Sequence, residues 1–155
     1  MSAKRIDFLL PGIAALTLVA DQLSKNFVRT HLRLGESWTP FPALGRWFAI
    51  THVTNTGAAF GLFPQMGLVF VAIAVVVVAA IVIYYRHLPA EQWLVRVSLG
   101  LQLGGALGNL IDRLCYGHVT DFLDFKVWPV FNVADSAIVV GVAILSYCLL
   151  RYQED

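Results

Sequence analysis

Charged side chains are scarce in this sequence. Asp, Glu, Lys and Arg together make up 14% of its 155 residues, whereas soluble domains average about 25%. Hydrophobic residues make up 58% and the mean hydropathy is +0.71, a balance that favours a membrane protein. The net charge of +1, without a basic patch interleaved with aromatic residues, gives no indication of a nucleic-acid partner.

The residue patterns of several enzyme and cofactor classes are also missing. The chain has no P-loop, no dinucleotide-binding glycine fingerprint and no zinc-type histidine pair. Its two cysteines, Cys115 and Cys148, lack metal-ligand spacing, and we expect them to be unpaired small hydrophobic residues. The four histidines are scattered, and no serine lies in a GxSxG nucleophile elbow. The sequence therefore predicts no metal and no cofactor, and it does not support serine–histidine catalysis.

Long hydrophobic stretches are what the sequence does contain. Four of them are close to the roughly 20 residues that a helix needs to cross a bilayer: Phe8–Leu23, Gly67–Tyr85, Leu94–Ile111 and Asn132–Leu150. We expect one integral-membrane domain over residues 1–155, with four transmembrane α-helices. The first stretch follows Lys4 and Arg5 and also resembles a cleavable secretory signal. We interpret it as a retained span, because Asp21 and Lys25 fit the polar end described next.

Polar residues collect at one end of these spans. Because consecutive spans run in opposite directions, the ends of spans one and three share a side with the starts of spans two and four. That side receives Asp21, Asp112 with Arg113, the stretch NTGAAFG (Asn55–Gly61) and Asp135. An ionisable side chain within a membrane is costly and usually functional. We predict a site on this side and a plain membrane anchor on the other.

Helical spacing agrees with a shared site. Asn109 lies three residues before Asp112, and Asn132 shares a helix face with Asp135. Gly104 and Gly108 form a small-xxx-small pair that would let another helix approach closely.

A purely structural interpretation of the charged residues stays open. Asp21 and Lys25, four residues apart, are compatible with a helix-end ion pair, and Asp112 with an interfacial anchor. Asp135 at the start of a helix is compatible with a plain cap, since carboxylates are favoured there.

The two connections on the polar side have strand character. Arg46–Thr54 alternates β-branched and aromatic residues, with Leu32–Trp38 as a possible partner strand. We expect a small β-sheet, over about residues 30–60, inserted between the first two helices and resting on the membrane surface. The connection 113–131 is also strand-like and brings Asp121 and Asp124 to the same side.

The distribution of Lys and Arg leaves the orientation of the chain unresolved. The anchor side carries five (Lys4, Arg5, Arg86, Arg96, Arg151) and the site side six (Lys25, Arg29, Arg33, Arg46, Arg113, Lys126). The rule that cytoplasmic loops are enriched in these residues does not separate five from six. Side chains held within a site would not count as free loop charges.

Two aspartates at one membrane boundary suggest a specific chemistry. If Asp121 and Asp135 meet in a poorly solvated place, they cannot easily both ionise, and the pair holds a proton between them. The ionised carboxylate can then take a proton from water while the protonated one polarises a peptide carbonyl. The alternatives are a small transporter or channel subunit with intramembrane acids, or a structural protein in which Asp135 is only a cap.

Five blocks of the sequence together resemble the lipoprotein signal peptidases, the type II signal peptidases of bacteria. The blocks are DQLSK (Asp21–Lys25), NTGAAFG (Asn55–Gly61), GGALGNLIDR (Gly104–Arg113), GHVTDF (Gly117–Phe122) and FNVADS (Phe131–Ser136). They occur in the family's order and span essentially the whole chain. Each block alone is unspecific, whereas the set is specific.

The resemblance implies an aspartyl endopeptidase of the bacterial cytoplasmic membrane that cuts the signal peptide from diacylglyceryl-modified prolipoproteins, just before the lipidated cysteine. Its catalytic dyad falls on Asp121 and Asp135, which leaves Asp124 as a loop residue. Residues around the substrate and dyad are implied at Asn55, Gly57, Asn109, Arg113 and Asn132; residues that support the site are implied at Asp21, Lys25, Gly108 and Asp112.

The resemblance also implies the setting of the enzyme. Both termini would be cytoplasmic, and the site would lie near the extracytoplasmic surface, in contact with membrane lipids. A cyclic peptide inhibitor of the globomycin type would occupy the same site.

Overall fold

The computed structural model describes residues 8–57, 66–89 and 91–151. Lys4 and Arg5 and residues 58–61 of the NTGAAFG block lie outside these ranges. Four helices account for most of the described chain: α1 (Leu9–His31), α2 (Gly67–Tyr85), α3 (Trp93–Tyr116) and α4 (Val133–Arg151). A short 3-10 helix covers Pro42–Leu44.

Three of the helices in the described ranges, α2, α3 and α4, are long and apolar enough to cross a membrane. Helix α1 has 23 residues, which is roughly 34 Å at the rise of an α-helix, but its second half is polar. Helices α1 and α3 continue well beyond the predicted ends at residues 23 and 111. The physical reason is that polar residues in these extensions pair with one another, so they prolong the helices instead of ending them.

Helix α3 is the centre of the helical packing, because α1, α2 and α4 all contact it. Its glycines allow this closeness. A Cβ at Gly104 would lie 2.6 Å from the Ala14 carbonyl oxygen of α1, and one at Gly105 would lie 2.5 Å from the Ala134 carbonyl oxygen of α4. The expected close approach at the Gly104 and Gly108 pair is therefore confirmed, and it extends to a second neighbouring helix.

The apolar core lies toward the anchor end of the helices. Its buried members come from all four helices and the turn after α2: Leu10, Ala14, Ile81, Leu88, Val95, Leu99, Leu103 and Cys148. Cys148 is unpaired and buried, as expected of a small hydrophobic residue, whereas the unpaired Cys115 is exposed. Helix α2 buries only Ile81, which suits a helix whose other faces meet lipid.

The sheet has three antiparallel strands in the order β1 (Ser37–Trp38), β2 (Ala49–Asn55) and β3 (Val119–Asp124). The pairing predicted between Arg46–Thr54 and Leu32–Trp38 forms, but over two residues of the second segment only. The prediction of a sheet confined to the insertion between the first two helices is too narrow, since β3 comes from the later connection. Strand β2 pairs with β3 so that Val53 lies opposite Asp121 and Asn55 opposite Val119.

Candidate active site

A cavity of about 640 Å³ lies at the polar end of the helices, beside β3 and the start of α4. Both Asp121 and Asp135 line it, together with Asn55, Gly57, Asn109 and Arg113. The remaining wall is apolar and aromatic, and includes Phe125, Trp128, Val130, Ile138 and Val139. The chain therefore brings the two predicted catalytic carboxylates to one cavity with an apolar side.

Asp121 projects from the middle of β3 and is only 2% exposed. Its Oδ1 accepts a hydrogen bond from Asn132 Nδ2 at 2.7 Å, and its Oδ2 accepts one from Asn55 Nδ2 at 3.1 Å. Burial and the negative charge of Asp135 raise the pKa of Asp121 to about 7, against the opposing effect of the two amides and of Lys25. This carboxyl group can therefore hold a proton near neutral pH.

Asp135 lies in the first turn of α4, where the side chains of Asn132 and Asp21 share the capping of the helix. Asn132 Oδ1 accepts the Asp135 N–H at 2.9 Å, and Asp21 Oδ1, from α1, accepts the Ala134 N–H at 2.9 Å. The Asp135 carboxylate also receives the Asn132 backbone N–H, but its Oδ1 accepts Asn109 Nδ2 at 2.7 Å. Helix capping therefore explains only some of the contacts of Asp135. It does not explain the hydrogen bond from Asn109 or the position of the carboxylate on the cavity wall, which indicate a further role.

Each amide around the pair has its orientation fixed by a group that can only donate. The Gly57 N–H donates to Asn55 Oδ1 at 3.0 Å, so the Asn55 NH₂ faces Asp121. The Asp135 N–H fixes Asn132 in the same way. Arg113 donates through Nη2 to the Gly57 carbonyl oxygen at 3.2 Å. The amides therefore form a cradle of donors aimed at carboxylate oxygens.

A fully buried ionic cluster lies behind the pair. Lys25 Nζ is 2.8 Å from Asp21 Oδ2 and 3.3 Å from Asp112 Oδ2, and all three side chains have 0% exposure. Burying charges is costly unless they are paired, and here the pairing links α1 to α3. Gly108 leaves the space that Asp21 occupies. All four residues that were expected to support the site, Asp21, Lys25, Gly108 and Asp112, come together in this cluster.

Asp112 also connects the cluster to the strand that carries Asp121. Its Oδ2 accepts the Thr120 N–H at 2.9 Å, which fixes the backbone next to Asp121. The prediction that Asp124 is a loop residue is wrong, because it is the last residue of β3. Asp124 Oδ2 accepts from Thr51 Oγ1 at 2.8 Å and pairs with Lys126 Nζ at 2.6 Å, since these donors are offered by β2 and the following turn.

Sequence reasoning missed Arg29 and Gln22 as members of the supporting cluster. Arg29 Nη1 contacts Asp112 Oδ1 at 3.4 Å and Thr120 Oγ1 at 3.1 Å, and Gln22 Nε2 reaches Asp112 Oδ1 at 3.2 Å. The signal for Arg29 was present, because it follows Lys25 by four residues on the same helix face. Gln22 and the apolar cavity wall gave no comparable signal.

Comparisons with known proteins agree with this arrangement. The family model described as signal peptidase (SPase) II matches residues 13–151. The chain is 53% identical over 143 residues to the lipoprotein signal peptidase of Moorella thermoacetica, covering 92% of each chain. It is 44% identical over 139 residues to that of Pelotomaculum thermopropionicum, covering 90% of each.

Solved structures give the same result. A bacterial membrane enzyme determined by the in meso method at 2.3 Å resolution superposes with a TM-score of 0.85 at 31% identity, covering 92% of this chain and 87% of that one. A second bacterial membrane enzyme, at 1.9 Å resolution, gives a TM-score of 0.81 at 31% identity, with 91% and 92% coverage. The chain is therefore a multi-pass membrane protease that belongs to the signal peptidase II family.

Proposed function

We propose that this member of the signal peptidase II family cuts prolipoproteins with Asp121 and Asp135 as a general acid–base pair. The observation that carries the proposal is that both carboxylates line one cavity, each held by side-chain amides. Family membership supplies the reaction, the removal of signal peptides from prolipoproteins. The cavity supplies the residues that would perform it.

The proposed reaction requires that Asp121 and Asp135 together hold one proton, so that one carboxyl group is ionised and the other is protonated. The ionised carboxylate takes a proton from a water molecule as the water oxygen attacks the scissile carbonyl carbon. The protonated carboxyl group gives its proton to the carbonyl oxygen, so that a neutral tetrahedral diol forms. In the collapse of the diol, the carboxylate that had given its proton takes one from a diol hydroxyl group, the C–N bond breaks, and the other carboxyl group protonates the leaving amine, which leaves one proton on the pair. Arg113, Asn55 and Gly57 line the same cavity and would hold the substrate backbone.

The apolar wall of the cavity suits a lipidated substrate. We propose a diacylglyceryl-modified prolipoprotein, cut just before its lipidated cysteine. Val139 and Val140 are exposed on the outer face of α4 and also line the cavity, so the cavity has an apolar side along the helix. Acyl chains of the substrate or of membrane lipids could lie there at low cost. A globomycin-type cyclic peptide is expected to compete for the same space.

The proposed setting is the bacterial cytoplasmic membrane. Helix α1 would be a fourth span, because its polar half is satisfied by α3 and β3 instead of by lipid. The sheet would rest on the extracytoplasmic surface, with the site beside it and both termini in the cytoplasm.

The alternative of a transporter or channel is not supported. The polar groups of the site collect at one end of the helices, and the family relatives are peptidases. A conducting path would need polar groups through the depth of the membrane.

The test is cleavage of a purified diacylglyceryl-modified prolipoprotein by the protein in detergent, followed as a mobility shift on a gel. Asp121→Asn and Asp135→Asn should each abolish cleavage, whereas Asp124→Asn, the matched control on the same strand, should retain it. Thermal unfolding of each variant establishes that it is folded. Cleavage by folded Asp135→Asn would reduce that aspartate to a cap and overturn the proposal.

A further inference from the structure

We propose that Lys25, acting through Asn109, makes Asp135 the ionised member of the pair and therefore the general base, with the proton on Asp121. This inference rests on the proposed function and divides its two roles between named residues. Lys25 and Asn109 would be positioning residues, since they act on Asp135 and not on the substrate.

The first step is the direction of the Asn109 amide. An ammonium group can only donate hydrogen bonds, and Lys25 Nζ lies 2.9 Å from Asn109 Oδ1. The Asn109 NH₂ group must then point the other way, where it meets Asp135 Oδ1 at 2.7 Å. Lys25 is itself held by Asp21 and Asp112, so the amide cannot easily turn. Asn109 thus forms a relay from Lys25 to Asp135, in which the amide presents a hydrogen-bond donor to the carboxylate.

The second step is the difference in surroundings between the two carboxylates. Asp135 is the third residue of α4, where the positive end of the helix dipole favours a negative charge. Burial disfavours the ionised form of both aspartates, Lys25 favours the ionised form of both, and Asp21 opposes ionisation of Asp135. Arg113 couples more strongly to Asp135 than to Asp121.

Asp121 does not lie at a helix terminus, so no helix dipole favours its negative charge. It lies on a strand, is almost fully buried, and is held by two neutral amides. The pKa of Asp121, raised to about 7 by burial and by the charge of Asp135, agrees with a proton on this residue while Asp135 is ionised. Asp135 would accordingly accept the proton of the attacking water, and Asp121 would protonate the carbonyl oxygen.

The first test measures the effect of the Asn109 donor on the pH dependence of kcat/KM in the cleavage assay. The rate should rise with pH as Asp135 ionises and fall again as Asp121 loses its proton. Asn109→Leu keeps a similar volume but removes the donor to Asp135. We expect it to move the rising limb upward by about one to two pH units, because a hydrogen bond to a charged group is lost, with the falling limb in place. Asn109→Ala should do the same.

A matched control keeps the result specific. Ser98→Ala removes another buried hydrogen bond of α3, from Ser98 Oγ to the Gly141 carbonyl oxygen at 2.8 Å, at the anchor end, and should leave both limbs unchanged. Lys25 itself is not replaced, because Asp21 and Asp112 would be left buried without their cation. If only the falling limb moves in Asn109→Leu, or if neither limb moves, the relay is wrong even though the dyad stands.

A second test needs no activity. Infrared spectra of the protein at pH 6 should show a protonated-carboxyl C=O band that disappears in Asp121→Asn. In Asp135→Asn, where the charge of Asp135 no longer raises the pKa of Asp121, burial should keep the band visible at pH 4. The reverse pattern would place the proton on Asp135 and overturn the assignment. Neither outcome depends on cleavage, so failure of the assignment is distinguishable from failure of the proposed function, which would appear as cleavage by the folded aspartate variants.

Discussion

Asp121 is a carboxyl group whose burial should be visible in the stability of the whole protein. Its pKa is raised from 3.8 to about 7, so the folded protein binds a proton more tightly at this position than the unfolded chain does. Stability from this source is complete below about pH 4 and is lost as the pH rises toward 7, by an amount on the order of 4 kcal/mol. Asp121→Asn removes this dependence.

We therefore expect the Tm of Asp121→Asn, relative to wild type, to become more favourable as the pH rises from 4 to 8. Thermal unfolding in detergent at each pH measures the difference. Asp124→Asn is the control, because burial is outweighed there by hydrogen bonds from Lys126 and Thr51, which lower the pKa of Asp124, so any change of its Tm difference with pH should have the opposite sign. A pH-independent difference between Asp121→Asn and wild type would contradict the raised pKa.

Gly108 is the residue on which the packing of the ionic cluster depends. A Cβ there would overlap Asp21 Oδ2 and lie 3.0 Å from Asp21 Cγ. Gly108→Ala should displace Asp21 from Lys25 and from the Ala134 N–H, with a loss of about 1–3 kcal/mol and reduced cleavage. Gly12→Ala, on α1 with nothing within 4 Å of the new Cβ, should be neutral or slightly stabilising. Equal Tm values for the two variants would show that Asp21 can move away from a Cβ at position 108 without loss of stability.

At the scale of the elements, the connection from α2 to α3 depends on one buried arginine. Arg96 is 4% exposed, donates through Nη2 to the Leu88 carbonyl oxygen at 2.8 Å and to the Pro89 carbonyl oxygen at 3.4 Å, and lies over the Tyr85 ring at 5.0 Å. It satisfies carbonyl groups that follow the end of α2 and would otherwise need another donor.

Arg96→Met should lower the Tm by several degrees, because the buried Leu88 carbonyl oxygen and the exposed Pro89 one lose a charged donor, worth about 1–3 kcal/mol. Cleavage at low temperature should stay near wild type, since the arginine lies at the end of the helices opposite the dyad. Arg86→Met, at an exposed position, is the control and should change neither. Loss of cleavage by folded Arg96→Met would mean that the connection from α2 to α3 affects the site.

The elements were predictable to different degrees from the sequence, for identifiable reasons. Apolar length located all four helices, and β-branched alternation located β2. The helix ends at His31 and Tyr116 were not predictable, because Lys25, Arg29 and Asp112 look like terminators until their partners are known. The sheet was predicted only in part, because the pairing of β2 with β3 joins residues more than 60 positions apart.

For the molecule as a whole, the most informative property of the sequence was the alternating direction of consecutive membrane spans. Alternating spans placed Asp21, Asp112 and Asp135 on one side, and the structure brings all three within one connected network. Whether Asp121 or Asp124 faced the cavity followed from the family resemblance, since both are aspartates in one strand. Charge counting did not predict orientation, because four of the six basic residues on that side, Lys25, Arg29, Arg113 and Lys126, are engaged in contacts of the fold.

If these four and the buried Arg96 of the anchor side are set aside, two basic residues remain on the site side and four on the anchor side, so we expect the anchor side to be cytoplasmic. In a Cys115→Ser, Cys148→Ala background, Leu34→Cys tests this: Leu34 is 66% exposed just after α1. It should react with a membrane-impermeant maleimide in intact spheroplasts. His87→Cys, exposed after α2, and Ser2→Cys, before α1, should react only after permeabilisation. In intact spheroplasts, labelling of both Ser2→Cys and Leu34→Cys would show that α1 does not cross the membrane, whereas labelling of Ser2→Cys and His87→Cys without Leu34→Cys would show that the enzyme has the opposite orientation.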